Sequence, residues 1–200
     1  MKTPYPRYDV LAKWGSPSFN DATREALAAR LAAPPPFRFF TGDDAILLQA
    51  VVDRLLPQPD REIPIPVAAW VDDYLFEGRD QGFRDARLPP LHESWRRALS
   101  AIDHEAKRRF QAGFSALAPE QQDAVLSAVQ AGDVDAEAWG DLDAADFFRD
   151  DLLTTAAQHY YAQPAAWSEI GFGGPASPRG YVRMGADERD PWEAPPEERS

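Results

Sequence analysis

The sequence predicts an all-α protein: an irregular helical domain of about five to six amphipathic helices, with an extended N-terminal arm and a rigid C-terminal arm rich in glycine, proline and aromatic residues. Two observations carry this prediction. Apolar residues recur at helical spacing in segments that end at proline or glycine. No segment alternates apolar and polar residues with the β-branched enrichment that is typical of a strand.

Residues 1–40 are predicted to form an extended docking arm around one short helix. Prolines fix φ and oppose regular structure, and they recur through this stretch at Pro4, Pro6, Pro17, Pro34, Pro35 and Pro36. Between them, Asn20 or Asp21 can cap a short helix that ends near Ala33.

Residues 41–184 are predicted to form the helical domain, which opens with two helices. Thr41 followed by Asp44 resembles a helix cap, and Pro57 ends the helix. The apolar residues of this helix are Ile46, Leu47, Leu48, Val51, Val52 and Leu55. Pro64 and Pro66 open the second helix, which ends near Gly78. Its apolar residues are Val67, Trp70, Val71, Tyr74 and Leu75.

Three further helices follow. A longer one spans Leu91 to Phe110, with Trp95, Leu99, Ile102 and Phe110 on one side and a charged, solvated side that carries Arg96, Arg97, Lys107, Arg108 and Arg109. The fourth begins at Pro119, ends at Gly132, and turns Val125, Leu126 and Val129 inward. The fifth runs from about Asp143 to Gln163. Its apolar side carries Phe147, Phe148, Leu152, Leu153, Ala156 and Tyr160.

The segment from 159 to 184 combines aromatic residues with glycine and proline. Its glycines can adopt backbone angles closed to other residues, and its prolines fix φ, so we expect an irregular but rigid arm. Exposed aromatic and arginine side chains are the usual anchors of interfaces. The arm is therefore expected to bind a partner, to fold back on its own helical body, or both. The charged residues 185–200 are predicted to form a flexible acidic tail.

Composition excludes several classes of function. The 33 acidic and 21 basic residues give a net charge of −12, which repels a phosphate backbone and argues against nucleic acid as a partner. There is no cysteine, so disulfides and thiolate chemistry are excluded. No apolar run approaches the roughly 20 residues that cross a bilayer.

The sequence offers no convincing catalytic or metal-binding set. His92, His104 and His159 are far apart and lack the spacing of paired metal ligands on one helix face. The glycines of 171–174 follow no predicted strand and fit neither nucleotide-binding loop pattern. We therefore expect no catalytic residue, metal or cofactor in this chain. The alternative is a stand-alone enzyme that uses His159 with Glu169 or Asp150 as its titratable groups.

Four segments in order resemble the gluconate 2-dehydrogenase subunit 3 family. They are capped amphipathic helices rather than catalytic signatures, and their order, which ends in EIGFGGP, makes the resemblance specific. It covers roughly residues 38 to 184. The segments are FFTGDDAILLQAVVDRLLPQP (39–59), IPVAAWVDDYL (65–75), FSALAPEQQDAVLSAVQAG (114–132) and FFRDDLLTTAAQHYYAQPAAWSEIGFGGP (147–175).

The resemblance implies a small, non-catalytic subunit of a membrane-associated or soluble FAD-dependent sugar or alcohol dehydrogenase. Such a subunit binds a large flavoprotein of the glucose-methanol-choline class, stabilises it and helps it mature, and in many cases a cytochrome c subunit joins the complex. The FAD then belongs to the partner. A cytoplasmic maturation chaperone that leaves once flavin is loaded is the second alternative. The residues expected to bind the partner are Trp14, Phe19, His159, Tyr160, Tyr161, Trp167, Glu169, Phe172, Arg179 and Tyr181.

Family members commonly begin with a twin-arginine export signal, whereas this chain begins with a segment in which Trp14 and Phe19 are typical of docking residues. No apolar core of a signal peptide follows the first charged residues. A cytoplasmic location is therefore expected, with co-export to the periplasm on a signal carried by the partner as the alternative.

Overall fold

The computed structural model describes residues 3–78, 88–175 and 194–195. Over these residues the protein is helical and contains no strand, which confirms the all-α prediction. The chain divides into two compact units. Unit 1 comprises Met1–Ala33 and Tyr160–Ser200, and unit 2 comprises Pro34–His159. The described residues 160–175 thus group with the N-terminal segment, whereas the sequence predicted one domain over residues 41–184.

The helices are α1 (Asp21–Leu31), α2 (Asp43–Leu55), α3 (Val67–Glu77), α4 (Leu91–Phe110), α5 (Pro119–Ala131), α6 (Ala136–Trp139), α7 (Ala144–Asp146), α8 (Thr154–Tyr161) and α9 (Pro164–Ile170). One 3₁₀ turn, Val10–Lys13, precedes α1, and a second, Phe114–Ala116, lies between α4 and α5. A π-helical segment, Phe147–Leu153, lies between α7 and α8. None of the helices in the described part of the chain is both long and apolar enough to cross a membrane.

Unit 2 is built around α4. Its inward face buries Trp95, Leu99 and Ile102, and it packs on α2, α5 and α6. Phe110, the fourth residue that the helical spacing predicted on this side, is half-buried. The Trp95 ring meets the Phe147 ring edge to face, with 5.5 Å between the centroids. Burying side chains of this size stabilises the unit by about 1.5–3 kcal/mol each relative to exposure.

The predicted ends of three helices are confirmed by their backbone geometry. Asn20 caps α1, because its side-chain oxygen accepts the Thr23 N–H at 2.8 Å. Gly78 ends α3 at φ 62° and Gly132 ends α5 at φ 72°, both in the left-handed conformation that glycine adopts at least cost.

The fifth predicted helix is not one regular element. Asp143 caps α7 by accepting the Asp146 N–H at 2.8 Å, and the chain then widens into the π-helical segment before α8 begins. The wider turn brings the consecutive Phe147 and Phe148 to buried positions, at 0% and 6% exposure. Apolar spacing predicts a helix here but does not distinguish the hydrogen-bond pattern of an α-helix from that of a π-helix.

Helix α9 is an element that the sequence analysis missed. We expected Pro164 to end a helix and to begin irregular structure, but Pro164 is the first residue of α9. Proline is favoured at this position because its missing N–H would have no partner in the first turn of a helix. The irregular parts of the described arm are therefore residues 162–163, between α8 and α9, and residues 171–175.

Unit 1 has its own small core. It consists of Val10, Phe19, Leu27 and Trp167, with Tyr8, Leu11 and Trp14 packed against it. The N-terminal segment, α1 and α9 each contribute to this cluster, so residues that are more than 150 positions apart in sequence share one hydrophobic centre.

A candidate partner-binding surface

The described residues hold no group of three or more side chains suited to bind a metal ion. The three histidines have separate structural settings. The His92 ring packs at a tilt of 56° on the Phe39 ring, with 5.0 Å between centroids. His104 Nε2 bonds to Asp135 at 2.9 Å, and the His159 ring lies 5.5 Å from the Tyr74 ring. The hydrogen bond from His104 lowers the pKa of Asp135 below its usual range.

The carboxylates considered as catalytic partners of His159 are engaged with other side chains. Asp150 accepts hydrogen bonds from the guanidinium of Arg149 at 2.8 and 2.7 Å. Glu169 accepts the hydroxyl hydrogen bond of Tyr160 at 2.7 Å. These contacts satisfy the carboxylates locally and hold the side chains in place.

Trp167 is the centre of the predicted docking segment. Its side chain is 5% exposed, and the indole N–H donates to the Tyr161 carbonyl at 2.5 Å. The Phe172 ring packs edge to face on it at 5.5 Å, and the Arg30 guanidinium lies 5.9 Å from the ring centroid. A buried indole held from these sides is a rigid base for the residues around it.

Exposed apolar side chains belong to the same segment. Tyr161 is 48%, Ile170 49% and Phe172 40% exposed. Tyr161 supplies the carbonyl that Trp167 binds, Ile170 lies three residues after Trp167 on α9, and Phe172 contacts the Trp167 ring. We call these three side chains, together with Trp167, the Trp167 surface. Large exposed apolar side chains on a rigid base are typical of sites that bind another protein.

The N-terminal arm holds the backbone of this segment. The Thr3 hydroxyl donates to the Glu169 carbonyl at 2.5 Å, and the Tyr8 hydroxyl donates to the Phe172 carbonyl at 3.3 Å. The Lys13 ammonium donates to the Gly173 carbonyl, and the Val10 N–H donates to the Ser168 hydroxyl at 3.1 Å. The four contacts span residues 168–173.

Two glycines of the segment leave room for rings of the arm. A Cβ on Gly171 would lie 2.7 Å from the Tyr5 ring, and one on Gly174 would lie 3.1 Å from the Phe19 ring. Both glycines also have positive φ, at 69° and 79°. The backbone conformation favours glycine at both positions, and at Gly171 the Tyr5 ring also leaves no room for a Cβ unless it shifts.

The predicted docking residues separate into a buried and an exposed set. Phe19 is 2% and Trp167 5% exposed, so both rings are enclosed by this chain itself. Trp14 is half-buried and meets Phe19 edge to face at 6.4 Å. Tyr161 and Phe172 are exposed, as expected of residues that contact a partner.

The other predicted docking residues have different settings. Tyr160 and Glu169 are half-buried and bonded to each other in unit 1. His159 is half-buried against Tyr74 in unit 2. Arg179 and Tyr181 lie outside the described residues. That these residues bind a partner stays a prediction.

The sequence analysis did not single out several exposed apolar residues. Ile170 follows Trp167 at i+3, a spacing that would have suggested its position had α9 been predicted. In unit 2, Ile63 is 83% and Phe76 47% exposed. Ile63 lies in a loop that Gln58 closes by two hydrogen bonds with Ile65, of 3.0 and 2.8 Å.

Comparison with known proteins identifies one matching family. A family model described as gluconate 2-dehydrogenase subunit 3 matches residues 43–174. No curated protein and no solved structure matches the chain. The matched residues include α9 and the glycines of 171–174, whereas the N-terminal arm that binds them lies before the matched span.

Proposed function

The chain belongs to the gluconate 2-dehydrogenase subunit 3 family, and we propose that it is the non-catalytic small subunit of an FAD-dependent sugar or alcohol dehydrogenase. In this proposal it binds a large flavoprotein subunit of the glucose-methanol-choline class through the Trp167 surface. The observation that carries the proposal is that large apolar side chains are displayed on a rigid buried base, while the neighbouring titratable groups pair locally.

The chemistry of this surface suits binding. Tyr161, Ile170 and Phe172 offer apolar area to a partner, and aromatic side chains lose little conformational entropy when they are fixed in an interface. Catalysis by this chain would need an acid, a base or a nucleophile placed near a substrate. The proposal therefore assigns flavin and catalytic groups to the large subunit. A cytochrome c subunit is a further proposed member of the complex.

The proposed contribution to maturation follows from mass action. A subunit that binds the folded flavoprotein but not its unfolded form shifts the folding equilibrium toward the folded state, by about 2.7 kcal/mol at a concentration 100 times Kd. Large subunit produced alone is then expected to hold little FAD and to have low activity. Co-expression with this chain is expected to restore both.

Phe172→Ala tests the proposed surface. The large subunit from the same genome is co-expressed with the wild-type or variant chain, and Kd is measured with purified components. We expect about a 30-fold loss of affinity, because truncating a central aromatic anchor typically costs about 2 kcal/mol. Phe76→Ala is the matched control, since Phe76 is similarly exposed but lies in unit 2. Its affinity should stay within about twofold of wild type.

Three outcomes of this experiment bear on the assignment. Equal affinity of Phe172→Ala and wild type, with unchanged thermal melting, would remove the Trp167 surface from the interface. Failure of the wild-type chain to bind any flavoprotein would refute the subunit proposal. Dissociation of the chain once FAD is loaded would favour the maturation chaperone.

Fractionation of cells that make the complex tests the proposed cytoplasmic location against co-export.

His159→Ala tests the non-catalytic assignment. Turnover per bound flavin in the assembled complex should stay within about twofold of wild type. The proposal places the catalytic groups in the large subunit and gives His159 a packing role against Tyr74. Removing a general base lowers the rate by a factor of about 100 to 10,000. A loss of that size with assembly intact would make this chain part of the active site.

A further inference from the structure

We propose that Tyr5, Tyr8 and Lys13 of the N-terminal arm are positioning residues, which fix Phe172 and the glycines beside it in the conformation that the partner binds. This inference rests on the proposed function, because it assigns the arm a role in forming the Trp167 surface. The arm would act through residues 168–174 rather than by its own contact with the partner.

Hydrogen bonding is the first argument. Residues 171–175 follow the end of α9, so their carbonyls lie beyond its regular helical ladder. Side chains of the arm bond to two of these carbonyls: the Tyr8 hydroxyl donates to Phe172 and the Lys13 ammonium to Gly173. The arm therefore supplies hydrogen bonds that the segment's own secondary structure does not.

Ring packing is the second argument. The Tyr5 ring occupies the space where a Gly171 side chain would begin, and the Phe19 ring does the same at Gly174. Rings of the arm thus lie against both ends of the four-residue segment 171–174. Contacts this close leave the segment little freedom to adopt another backbone conformation.

Phe172 lies in the sequence between Gly171 and Gly174, the two glycines against which these rings pack. Its N–H donates to the Trp167 carbonyl at 2.9 Å, its carbonyl accepts from Tyr8, and its ring packs on the Trp167 ring. The backbone of this exposed aromatic residue is thus held from both sides, by α9 and by the arm. A side chain held in its bound conformation loses less entropy on association, which increases affinity without any added contact.

The polar groups of the arm indicate why it would act indirectly. Tyr8 and Lys13 are half-buried and use their hydroxyl and ammonium groups on backbone carbonyls of residues 172 and 173. Phe19 is enclosed in the core of unit 1. Among the residues that the structure describes, the large exposed apolar side chains of unit 1 are Leu31 at the end of α1 and, in the C-terminal segment, Tyr161, Ile170 and Phe172. Tyr5, Tyr8 and Lys13 are not among them.

A pair of glycines provides a matched test. Gly171 and Gly132 both end a helix in the left-handed conformation, with φ/ψ of 69°/16° and 72°/13°. An added Cβ would meet the Tyr5 ring at 2.7 Å at Gly171, but would meet nothing within 4 Å at Gly132. Alanine therefore imposes similar backbone strain at both positions, but only at Gly171 does it also force a ring of the arm, that of Tyr5, to shift.

The experiment measures the affinity of full-length variants for the purified large subunit. Gly171→Ala and Tyr5→Ala should each weaken binding about 10-fold or more, and Gly132→Ala less than about twofold. Tyr8→Phe removes one hydroxyl while it keeps the ring, and should weaken binding about threefold. Hydrogen exchange of the isolated chain, read on peptides that cover 164–175, should be faster in Tyr5→Ala and Gly171→Ala than in wild type.

A double-mutant cycle separates positioning from direct contact. If the arm acts through Phe172, Tyr5→Ala should cost less than about twofold in a Phe172→Ala background. Additive losses would overturn the inference, since they would mean that the arm contacts the partner or acts globally. Normal binding and normal exchange of Tyr5→Ala and Gly171→Ala would overturn it while leaving the proposed function intact. If the wild-type chain does not bind the large subunit, both fall.

Discussion

The buried carboxylate of Glu105 on α4 should stabilise unit 2 at neutral pH and lose this effect in acid. The variant Glu105→Gln tests this prediction. The side chain is fully buried. Its Oε2 accepts from the Arg108 guanidinium at 2.7 and 3.1 Å and from Arg109 Nε at 3.2 Å. Its Oε1 accepts the Asp135 N–H at 2.6 Å. Glutamine keeps the shape of the side chain but removes its charge. Its amide NH₂ group also replaces one carboxylate oxygen with a hydrogen-bond donor, which would face the N–H donors that surround Glu105.

The expected cost at pH 7 is about 3 kcal/mol. Hydrogen bonds to a charged group contribute about 1.5–3 kcal/mol, and breaking a buried ion pair costs about 3–5 kcal/mol. We take a value near the lower end of the second range, because Arg108 and Arg109 are 44% and 24% exposed and water screens part of their attraction.

The pH dependence has a definite sign. Burial raises the pKa of Glu105, but hydrogen bonds from the Asp135 backbone and from the two arginines outweigh it, so the net pKa lies below the usual range. A depressed pKa in the folded state contributes stability above the unfolded pKa, about 4.3, and this contribution is lost as pH falls through the folded value. The difference between wild type and Glu105→Gln should therefore be largest at neutral pH and shrink below about pH 4.

Urea denaturation followed by tryptophan fluorescence between pH 3 and pH 7 measures this difference. Glu93→Gln is the control, because Glu93 lies on the same helix and pairs with Arg97 at 3.0 Å but is 53% exposed. Its cost should stay below about 0.5 kcal/mol. A Glu105→Gln cost no larger than this, or one independent of pH, would refute the reasoning.

Two further predictions concern unit 2 and the cofactor. Asp72→Ala should lower the unfolding free energy by about 3 kcal/mol or more, because the buried Asp72 carboxylate accepts the N–H groups of Arg38, Phe39 and Phe40 at 2.6–3.1 Å. Thermal melting checks this, and Asp72→Asn, which keeps one oxygen, should cost less. The chain purified alone should contain neither stoichiometric flavin nor metal, which the visible spectrum and elemental analysis would test.

Several features of α1, α3, α4 and α5 were predicted from the sequence because each has a local cause. The apolar spacing of α4, the Asn20 cap and the left-handed glycines that end α3 and α5 all act within a few residues. Proline was more ambiguous. Pro164 is compatible with the end of one helix and with the first turn of the next, and both occur within three residues of each other.

The candidate surface was predicted in part. Residue type alone does not distinguish an aromatic residue that packs in a core from one that contacts a partner, because both uses favour large rings. Trp167 and Phe19 are buried, whereas Phe172 and Tyr161 are exposed, although all four belong to segments with similar composition. The difference depends on which segments meet in the fold, and the Val10 and Trp167 cluster joins residues that no local pattern connects.

The glycines of the arm illustrate the same limit at the level of single atoms. Sequence reasoning assigned them one property, access to unusual backbone angles, and Gly171 and Gly174 do have positive φ. Gly132 shares that property, yet its Cβ position is open, whereas the Tyr5 ring, 166 residues earlier in the chain, fills that of Gly171. Backbone strain alone predicts that Gly171→Ala and Gly132→Ala destabilise the folded chain to a similar extent. Any excess cost at Gly171 therefore measures the contact with the arm, which is the part of the argument that depends on the three-dimensional structure.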